Sequence, residues 1–521
     1  MLDVASFDPV AIRIFGNLFA SIAEEMGVTL GRTAYSANIK ERRDYSCAIF
    51  DKDLRLVAEG SHIPVHLGAM PLSLSESAKR IDFNPGDTVI VNDPFAGGTH
   101  LPDITLTSPI FLDEALIGFA VSRAHHADVG SHFPGSMGLG HTIHEEGVCI
   151  SPSKLVAGSR IDERLLESFL QQVRNPKERL GDLKAQLAAN EIGKSRFIDL
   201  VTKYGLDDIG KQIDNTIAYT RICTEILLQS MPSGTYSFID YLDDDGFSDK
   251  PLKIEVAIKI SGNRARIDFS GTDAQVESCV NAPLAVTHSA VYYVFRCLLP
   301  STVLVNHGTF YPLTIKAPEG SLVNAAYPAG VAAGNVETSQ RIVDVLLGAL
   351  AQALPDRIPA ASQGTMNNLS FGFKYPGGGE HTYYETIGGG MGAYPGKDGL
   401  SGVHTHMTNT LNTPIEALEL AFPVRVRECS LRHGSGGNGK FSGGDGITRS
   451  IEFLEDSMVS ILSDRRRTRP YGLNKGEPGA SGRNILTCGD EEIELPGKTS
   501  FNVKAGDIVT IETPGGGGCG G

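Results

Sequence analysis

The sequence of 521 residues has no tryptophan, and its eight cysteines include no C-x-x-C pair. Zinc knuckles and dithiol redox motifs need that pairing, so both are excluded. The cysteines are scattered singly, and we expect them to be reduced and mostly buried. No stretch approaches the roughly 18 consecutive apolar residues of a membrane-spanning helix, which argues against one.

Positive charge is scarce, because 46 Lys and Arg stand against 61 Asp and Glu, for a formal net charge of -15. No block of basic residues stands out, so nucleic acid is not an expected partner. The N-terminus also lacks the basic region and small-residue cleavage site of a signal peptide. We therefore expect a cytoplasmic protein.

Glycine is abundant, at 60 positions without the period of collagen. It is densest at residues 388–392 and 434–446, where charged and aromatic residues rather than serine are interleaved. This composition favours ordered loops with positive φ over flexible linkers.

The first part of the chain has the pattern of helices and strands packed together. Apolar residues recur at helical spacing from Phe15 and stop at Gly27, a plausible C-cap, so we expect an opening helix that covers a sheet. Two β-like runs, residues 88–91 and 117–122, are predicted to flank a glycine-rich loop from Asn92 to Pro109.

The pattern changes twice further along. Residues 162–230 repeat apolar positions at helical spacing, and residues beyond 231 alternate as strands, with a hairpin at 252–269. We therefore predict a mixed α/β (α+β) fold, with β-sheets, covering helices and a central helical section. Residues 1–230 would form an N-terminal α/β region with the site, and residues 231–521 a β-rich, glycine-rich C-terminal region.

Histidine is concentrated in one stretch, since eight of the 14 lie between His62 and His144. The sharpest grouping is Gly97–Asp103 followed by Arg123–Asp128, each at the end of a predicted strand. Imidazoles and a carboxylate from neighbouring strands suit a divalent metal with open positions. The alternative is that these histidines cap loops and bond backbone carbonyls.

Three nearby segments are weaker candidates. His62 and His66 lie on either side of Pro64, which disfavours a helix, and they are either structural or close to the site. The charged run Glu41–Ser46 is either a solvated turn or part of the site. The segment His144–Glu146 is the weakest of the three candidates for a site role.

Two glycine segments imitate nucleotide-binding motifs. Gly434–Lys440 begins like a Walker A motif, but Phe441 replaces the Ser or Thr that would hold magnesium. Gly516–Gly521 matches G-x-G-x-x-G, but no helix-forming residues follow it. Neither predicts an ATP site, and no G-x-S-x-G serine-hydrolase elbow is evident.

Several motifs together resemble the hydantoinase B / 5-oxoprolinase C-terminal family, and the likeness runs nearly end to end. They are HIPVHLGAM at 62–70, NDPFAGGTHLPD at 92–103, DFSGT at 268–272, NVETSQR at 335–341, YETIGGGMGA at 384–393 and TPGGGG at 513–518.

The resemblance implies the B-type subunit of an ATP-dependent amidohydrolase that opens a cyclic amide or imide, such as a hydantoin, a lactam or a 5-oxoproline-like ring. An A-type partner would bind ATP and magnesium and phosphorylate the substrate, in a hetero-oligomer with two copies of each subunit. Because the family includes acetone and acetophenone carboxylases, a ketone carboxylase subunit is an alternative. A second alternative is a non-catalytic subunit with only a structural role.

The resemblance also implies the site residues. His100, Asp103 and His125 would bind one divalent metal, Zn or Mn, with an open position for water or substrate. Glu41 or Asp44 would supply a catalytic acid. Phosphorylation makes the amide oxygen a good leaving group, and water activated by a metal can then attack the ring carbon that bears this oxygen, so that the C–N bond can break.

Overall fold

The fold comes from a computed structural model that describes residues 7–60, 63–374 and 380–521. Helices form 32% of it and strands 28%, which confirms the predicted α+β class. No helix within these ranges is long and apolar enough to cross a membrane. The helices are α1 (Pro9–Thr33), α2 (Ala37–Lys40), α3 (Ala69–Arg80), α4 (Glu163–Leu170), α5 (Pro176–Tyr204), α6 (Leu206–Gln229), α7 (Leu284–Leu298), α8 (His307–Phe310), α9 (Ser339–Ala353) and α10 (Ile415–Ala421).

The first sheet is antiparallel and has seven strands, in the order 2-1-5-4-3-6-7. These are β1 (Tyr45–Asp51), β2 (Leu56–Glu59), β3 (Thr88–Val91), β4 (Asp103–Leu112), β5 (Ala115–His125), β6 (Ser153–Ala157) and β7 (Arg160–Ile161). Helix α5 packs across β4 and β5, and α1 packs on α5. The opening helix therefore covers a sheet, as its apolar stripe predicted.

Three smaller sheets form the rest of the molecule. One contains β8 (Gly234–Leu242), β9 (Leu252–Ser261), β10 (Arg264–Asp268) and β11 (Leu313–Lys316), with α9 packed against β8 and β9. The later strands are β12 (Asn368–Lys374), β13 (Glu380–Glu385), β14 (Val424–Arg432), β15 (Gly446–Phe453), β16 (Ser457–Leu462), β17 (Arg483–Cys488), β18 (Glu491–Leu495), β19 (Lys498–Val503) and β20 (Ile508–Glu512). They form two sheets, ordered β13-β12-β16-β19 and β14-β15-β20-β17-β18.

Helix α1 is longer than its sequence pattern predicted. Asp8 caps its first turn by accepting from the N–H groups of Val10 and Ala11, and the helix runs past Gly27. The expectation of a C-cap at Gly27 is wrong. Met26 and Leu30 are both buried, so packing on either side outweighs the cost of about 1 kcal/mol for glycine within a helix.

The predicted loop between the two strands of the site is shorter than expected, because β4 starts at Asp103. Ile104 and Leu106 do alternate with polar residues at the start of this strand, but the run is short and Pro109 lies within it, and proline argues against a strand in the middle of a sheet. The first eight residues are all buried, and several of the polar side chains find partners inside the protein, as when Ser108 Oγ lies 2.8 Å from Thr88 Oγ1.

The predicted helical section consists of α4, α5 and α6, and Gly205 separates the last two with a φ of 87°. A division of the chain near residue 231 stays a prediction. One hydrophobic cluster joins Ile63 and Val65 from the first region to Val286 and Leu346 from the second, so the two regions share a core.

The dense glycines are ordered but differ from the expected conformation. Within residues 388–392 and 434–446, which are described in full, only Gly434 has a positive φ. The glycines instead permit close backbone packing, since a Cβ on Gly516 would overlap the carbonyl of Met391. The Gly437 N–H donates to the Gly516 carbonyl at 2.8 Å. The terminal glycines therefore pack closely against other backbone segments and form no phosphate-binding loop.

All eight cysteines are free thiols, as their scattered positions predicted. The expectation that most are buried is wrong, because only Cys47, Cys279 and Cys519 are buried. Cys429 is among the exposed ones because it lies on β14, a strand at the edge of its sheet.

Candidate metal centre

The two strand ends predicted to carry the site do meet. Asp103 is the first residue of β4 and His125 the last of the neighbouring strand β5, and the antiparallel register pairs them directly. His100 lies three residues before Asp103, in the loop that follows β3. The three side chains are at most 2% exposed.

Three ligand-type atoms converge in a nearly equilateral triangle. His100 Nε2 lies 3.2 Å from Asp103 Oδ1 and 3.2 Å from His125 Nδ1, and His125 Nδ1 lies 3.3 Å from Asp103 Oδ1. A tetrahedral ion with bonds of about 2.0–2.1 Å holds its ligand atoms about 3.3–3.4 Å apart. The spacing and chemistry of this donor set therefore fit one divalent metal.

The second oxygen of Asp103 is held by other side chains. Thr99 Oγ1 donates to Oδ2, and His66 Nε2 lies 3.3 Å from the same atom. His66 is fixed in turn, with Nδ1 2.9 Å from Ser46 Oγ. Because Oδ2 is occupied in this way, Oδ1 is directed towards His100 and His125, and outer contacts of this kind orient metal ligands.

The environment keeps Asp103 ionised. Burial alone would raise the pKa of its carboxyl, but the charges of His100 and His66 and hydrogen bonds from His100 and His125 hold that pKa well below its usual range. Burial also lowers the pKa of His125, which favours the neutral imidazole that binds metals. The ligand set thus combines a carboxylate with an imidazole that is readily neutral.

Asn335 reaches the site from the second half of the chain. It lies in a π-helical turn, Gly334–Thr338, and its Nδ2 is 3.1 Å from His100 Nε2. Its Oδ1 is buried and has no hydrogen-bond partner among the residues that the structure describes. π-Helical turns often occur at functional sites, but the sequence pattern does not reveal this one.

An aromatic stack supports His125. The Tyr384 ring is nearly parallel to the imidazole, with 4.8 Å between centroids, and the guanidinium of Arg42 lies 4.7 Å from the same tyrosine ring. Arg42 Nη1 also donates to the Tyr384 carbonyl at 2.7 Å. Arg42 belongs to the charged run Glu41–Ser46 that the sequence left as a possible part of the site, whereas Tyr384 was not assigned to it, although it begins one of the segments that carried the family resemblance.

Known proteins resemble this chain in both sequence and fold. The sequence profile of the family described as hydantoinase B/oxoprolinase matches residues 8–521. The chain belongs to this family. An uncharacterised protein of Methanocaldococcus jannaschii is 42% identical over 98% of this chain and 91% of its own length.

This hydantoinase B family member is also similar to longer proteins and to solved structures. A 5-oxoprolinase of Arabidopsis thaliana is 41% identical over 98% of the chain, which spans only 42% of that relative. A structure of ATP-dependent caprolactamase from Pseudomonas jessenii has a TM-score of 0.91 at 26% identity, covering 99% of this chain and 91% of the other. A nucleotide-free acetone carboxylase structure, at 19% identity, has a TM-score of 0.92 over 100% of this chain and 76% of the other, and shows a shared fold.

The two candidate acids of this family member differ in position. Asp44 is buried and lines the small cavity of about 290 Å³ that contains the His100, Asp103 and His125 donors, and its backbone carbonyl accepts from the His125 N–H at 3.0 Å. The Glu41 side chain is 37% exposed, does not line this cavity and lies 4.0 Å from Lys40.

The weaker histidine candidates have mixed outcomes. His66 adjoins the site, in a 3-10 turn Pro64–His66; Pro64 was expected to disfavour a helix, but it is the first residue of this turn, a position that suits proline. His62 lies outside the described residues. His126 points away from the triangle, with Nε2 2.9 Å from Gln186 Oε1, and His144 Nε2 lies 3.1 Å from the Tyr327 hydroxyl.

Proposed function

We propose that this chain is the B-type subunit of an ATP-dependent amidohydrolase, which opens a cyclic amide or imide after an A-type partner has phosphorylated it. The observation that carries the proposal is the buried triangle of His100, Asp103 and His125. Relatives named 5-oxoprolinase and D-/L-hydantoinase, and a structural neighbour named caprolactamase, support a cyclic amide as substrate.

The triangle is proposed to hold one zinc or manganese ion through His100 Nε2, Asp103 Oδ1 and His125 Nδ1. A bound ion of this kind supplies Lewis acidity and lowers the pKa of water. Asp103 offsets the ion's charge, while Thr99 and His66 fix the carboxylate. A carboxylate buried as deeply as that of Asp103 is costly unless positive charge lies beside it, which supports a cation there.

Asp44 is proposed as the proton-transferring acid, in preference to Glu41. Its carboxyl group belongs to the wall of the same cavity, whereas Glu41 extends towards solvent. Proton transfer in hydrolysis requires a group within reach of the reacting atoms, so position favours Asp44. Tyr384 and Asn335 complete the cavity wall and are proposed to keep His125 and His100 in place.

ATP and magnesium are assigned to the A-type partner. The Gly434–Lys440 segment and the terminal glycines pack against one another, with the Gly437 N–H donating to the Gly516 carbonyl and the Lys440 N–H to the Gly520 carbonyl. Backbone N–H groups committed in this way cannot cradle phosphates. Phosphorylation by a separate A-type chain is therefore the simplest division of labour, in an assembly proposed to contain two copies of each subunit.

A ketone carboxylase subunit is the main alternative to the amidohydrolase. The acetone carboxylase structure shares the fold, but its identity of 19% is lower than the 36–41% of relatives named 5-oxoprolinase. A purely structural role would leave the buried His100, Asp103 and His125 donors without a purpose. The cyclic amide is therefore preferred.

Metal analysis of the purified chain tests the proposal. We expect about one zinc or manganese per wild-type chain and almost none in His125→Ala, because each ligand supplies much of the affinity. The control is His433→Ala, which removes an exposed histidine outside the site and should leave the metal content unchanged. Equal metal content in wild type and His125→Ala, or none in an active wild type, would return these histidines to a structural role.

A further inference from the structure

A second, larger cavity adjoins the one that contains the His100, Asp103 and His125 donors. It has a volume of about 1150 Å³ and lies between α7, residues 357–362 and the segment 404–409. Thr408 lines both cavities, and Met407 and Thr410 line the inner one. The segment from His404 to Thr410 therefore forms part of the wall of each, and a ligand in the outer cavity would lie beside the candidate metal centre.

The outer cavity suits an uncharged ligand. Its walls are largely aliphatic and aromatic, and no carboxylate occurs among its lining residues in the described ranges. Its one lysine or arginine, Arg357, is exposed and donates to the Leu298 carbonyl at 2.8 Å. Burial lowers the pKa of both His404 and His406 to about 4, so both imidazoles are neutral near pH 7.

The proton position on His404 follows from its neighbour. The Asn412 amide is oriented because its Nδ2 donates to Glu385 Oε2 at 3.0 Å and to the Thr386 carbonyl at 2.7 Å. Asn412 Oδ1 can then only accept, and it does so from His404 Nε2 at 3.4 Å. His404 therefore presents a lone pair at Nδ1, a buried atom with no partner among the described residues.

His406 adds a second unpaired group to the same cavity. Its Nδ1 lies 3.4 Å from the Tyr293 hydroxyl, and its Nε2 is buried with no partner in the described part of the chain. The residue has a φ of 59°, a left-handed conformation that costs energy for a side chain other than glycine. A strained backbone that places an unpaired imidazole in a cavity is characteristic of binding sites.

We propose that the outer cavity binds the ring of an uncharged cyclic amide, with His404 Nδ1 accepting the hydrogen of the ring N–H and His406 facing the polar edge of the ring. This inference rests on the proposed function and narrows its substrate class to uncharged rings that carry a free N–H. A free N–H becomes a requirement, and a ketone of the same shape lacks the group that His404 recognises.

Binding of three small rings to the full-length chain tests this inference. The probes are 2-pyrrolidinone, N-methyl-2-pyrrolidinone and cyclopentanone, titrated by ligand-observed NMR without ATP and after removal of metal by a chelator. Because one neutral hydrogen bond is at stake, we expect 2-pyrrolidinone to bind about fivefold more tightly than either of the others. In His404→Phe this preference should disappear, whereas His433→Phe, on the exposed surface, should retain it.

Each result of this binding experiment either supports the inference or overturns it. Equal affinities for the three rings in wild type, no saturable binding, or a preference that survives His404→Phe would overturn the inference. The wild-type series alone suffices if His404→Phe does not fold. Because no metal or nucleotide is present, a chain that never binds metal but prefers 2-pyrrolidinone would overturn the metal centre and leave the outer cavity assignment standing.

Discussion

At the scale of single residues, Asp103 shows how neighbouring side chains can orient a carboxylate that is proposed to bind a metal. Its Oδ2 is held by Thr99 and His66, so Oδ1 is left for the point where His100 and His125 converge. Both imidazoles and the carboxylate are buried, and rotation of any one of them would break the triangle. The geometry therefore depends on groups that would never touch the ion.

Thr99→Val tests this dependence. Removing the hydroxyl frees the Asp103 carboxylate to rotate, and loss of an outer hydrogen bond typically weakens metal binding about 10- to 100-fold. We expect a weakening in that range when zinc is titrated in competition with a chromophoric chelator. Thr107→Val is the matched control, because Thr107 is buried in β4 and its hydroxyl has no partner within the described ranges. Similar affinities for both variants would show that Asp103 needs no such support.

The sequence predicted the site residues that lie close together in the chain and did not predict those that come from distant segments. His100, Asp103 and His125 could be proposed because strand ends in an antiparallel sheet meet at one edge. Asn335 and Tyr384 approach the site only through tertiary packing, from more than 200 residues away. Asp44 and Glu41 could not be separated by sequence, because their different burial is set by the turn before β1.

At the scale of elements, the helices were easier to predict than the buried strands. The apolar periods of α4 to α6 are visible in the sequence, whereas the alternation in β4 is confined to its first few residues and Pro109 lies within the strand, which is unusual for a strand inside a sheet. We predicted backbone with positive φ for the glycine clusters, because this is a common structural reason for a glycine at a given position. Their actual role is to let backbones approach closely, which depends on segments distant in sequence.

Gly516→Ala tests the close packing of the glycine segments. The added Cβ would overlap the Met391 carbonyl, and neither backbone can move without breaking hydrogen bonds to its neighbours. Overpacking of this kind costs about 1–3 kcal/mol, so the midpoint of thermal unfolding should fall. Gly210→Ala is the control, since a Cβ within α6 meets nothing within 4 Å there and should stabilise slightly. An unchanged midpoint for Gly516→Ala would refute the packing account.

At the scale of the whole molecule, the site belongs to both halves of the chain. Asp103 and His125 come from the first sheet and His100 from the loop between β3 and β4, while Asn335 and Tyr384 come from elements after residue 231. A shared hydrophobic cluster joins the same two regions. The chain is therefore expected to fold as one body around the candidate centre, with its outer surface left for a partner.

The last prediction concerns that partner. Because neither glycine segment can cradle phosphates, we expect the purified chain to hydrolyse no ATP and to show product formation from a cyclic amide only after an A-type chain is added. Steady-state release of phosphate, followed with and without the partner, measures this.

The His125→Ala chain should still join the complex, which mass photometry would report as two copies of each subunit, but should yield no ring-opened product. Robust ATP hydrolysis by the pure chain alone would defeat the assignment of ATP to the partner, and an active monomer would defeat the assembly.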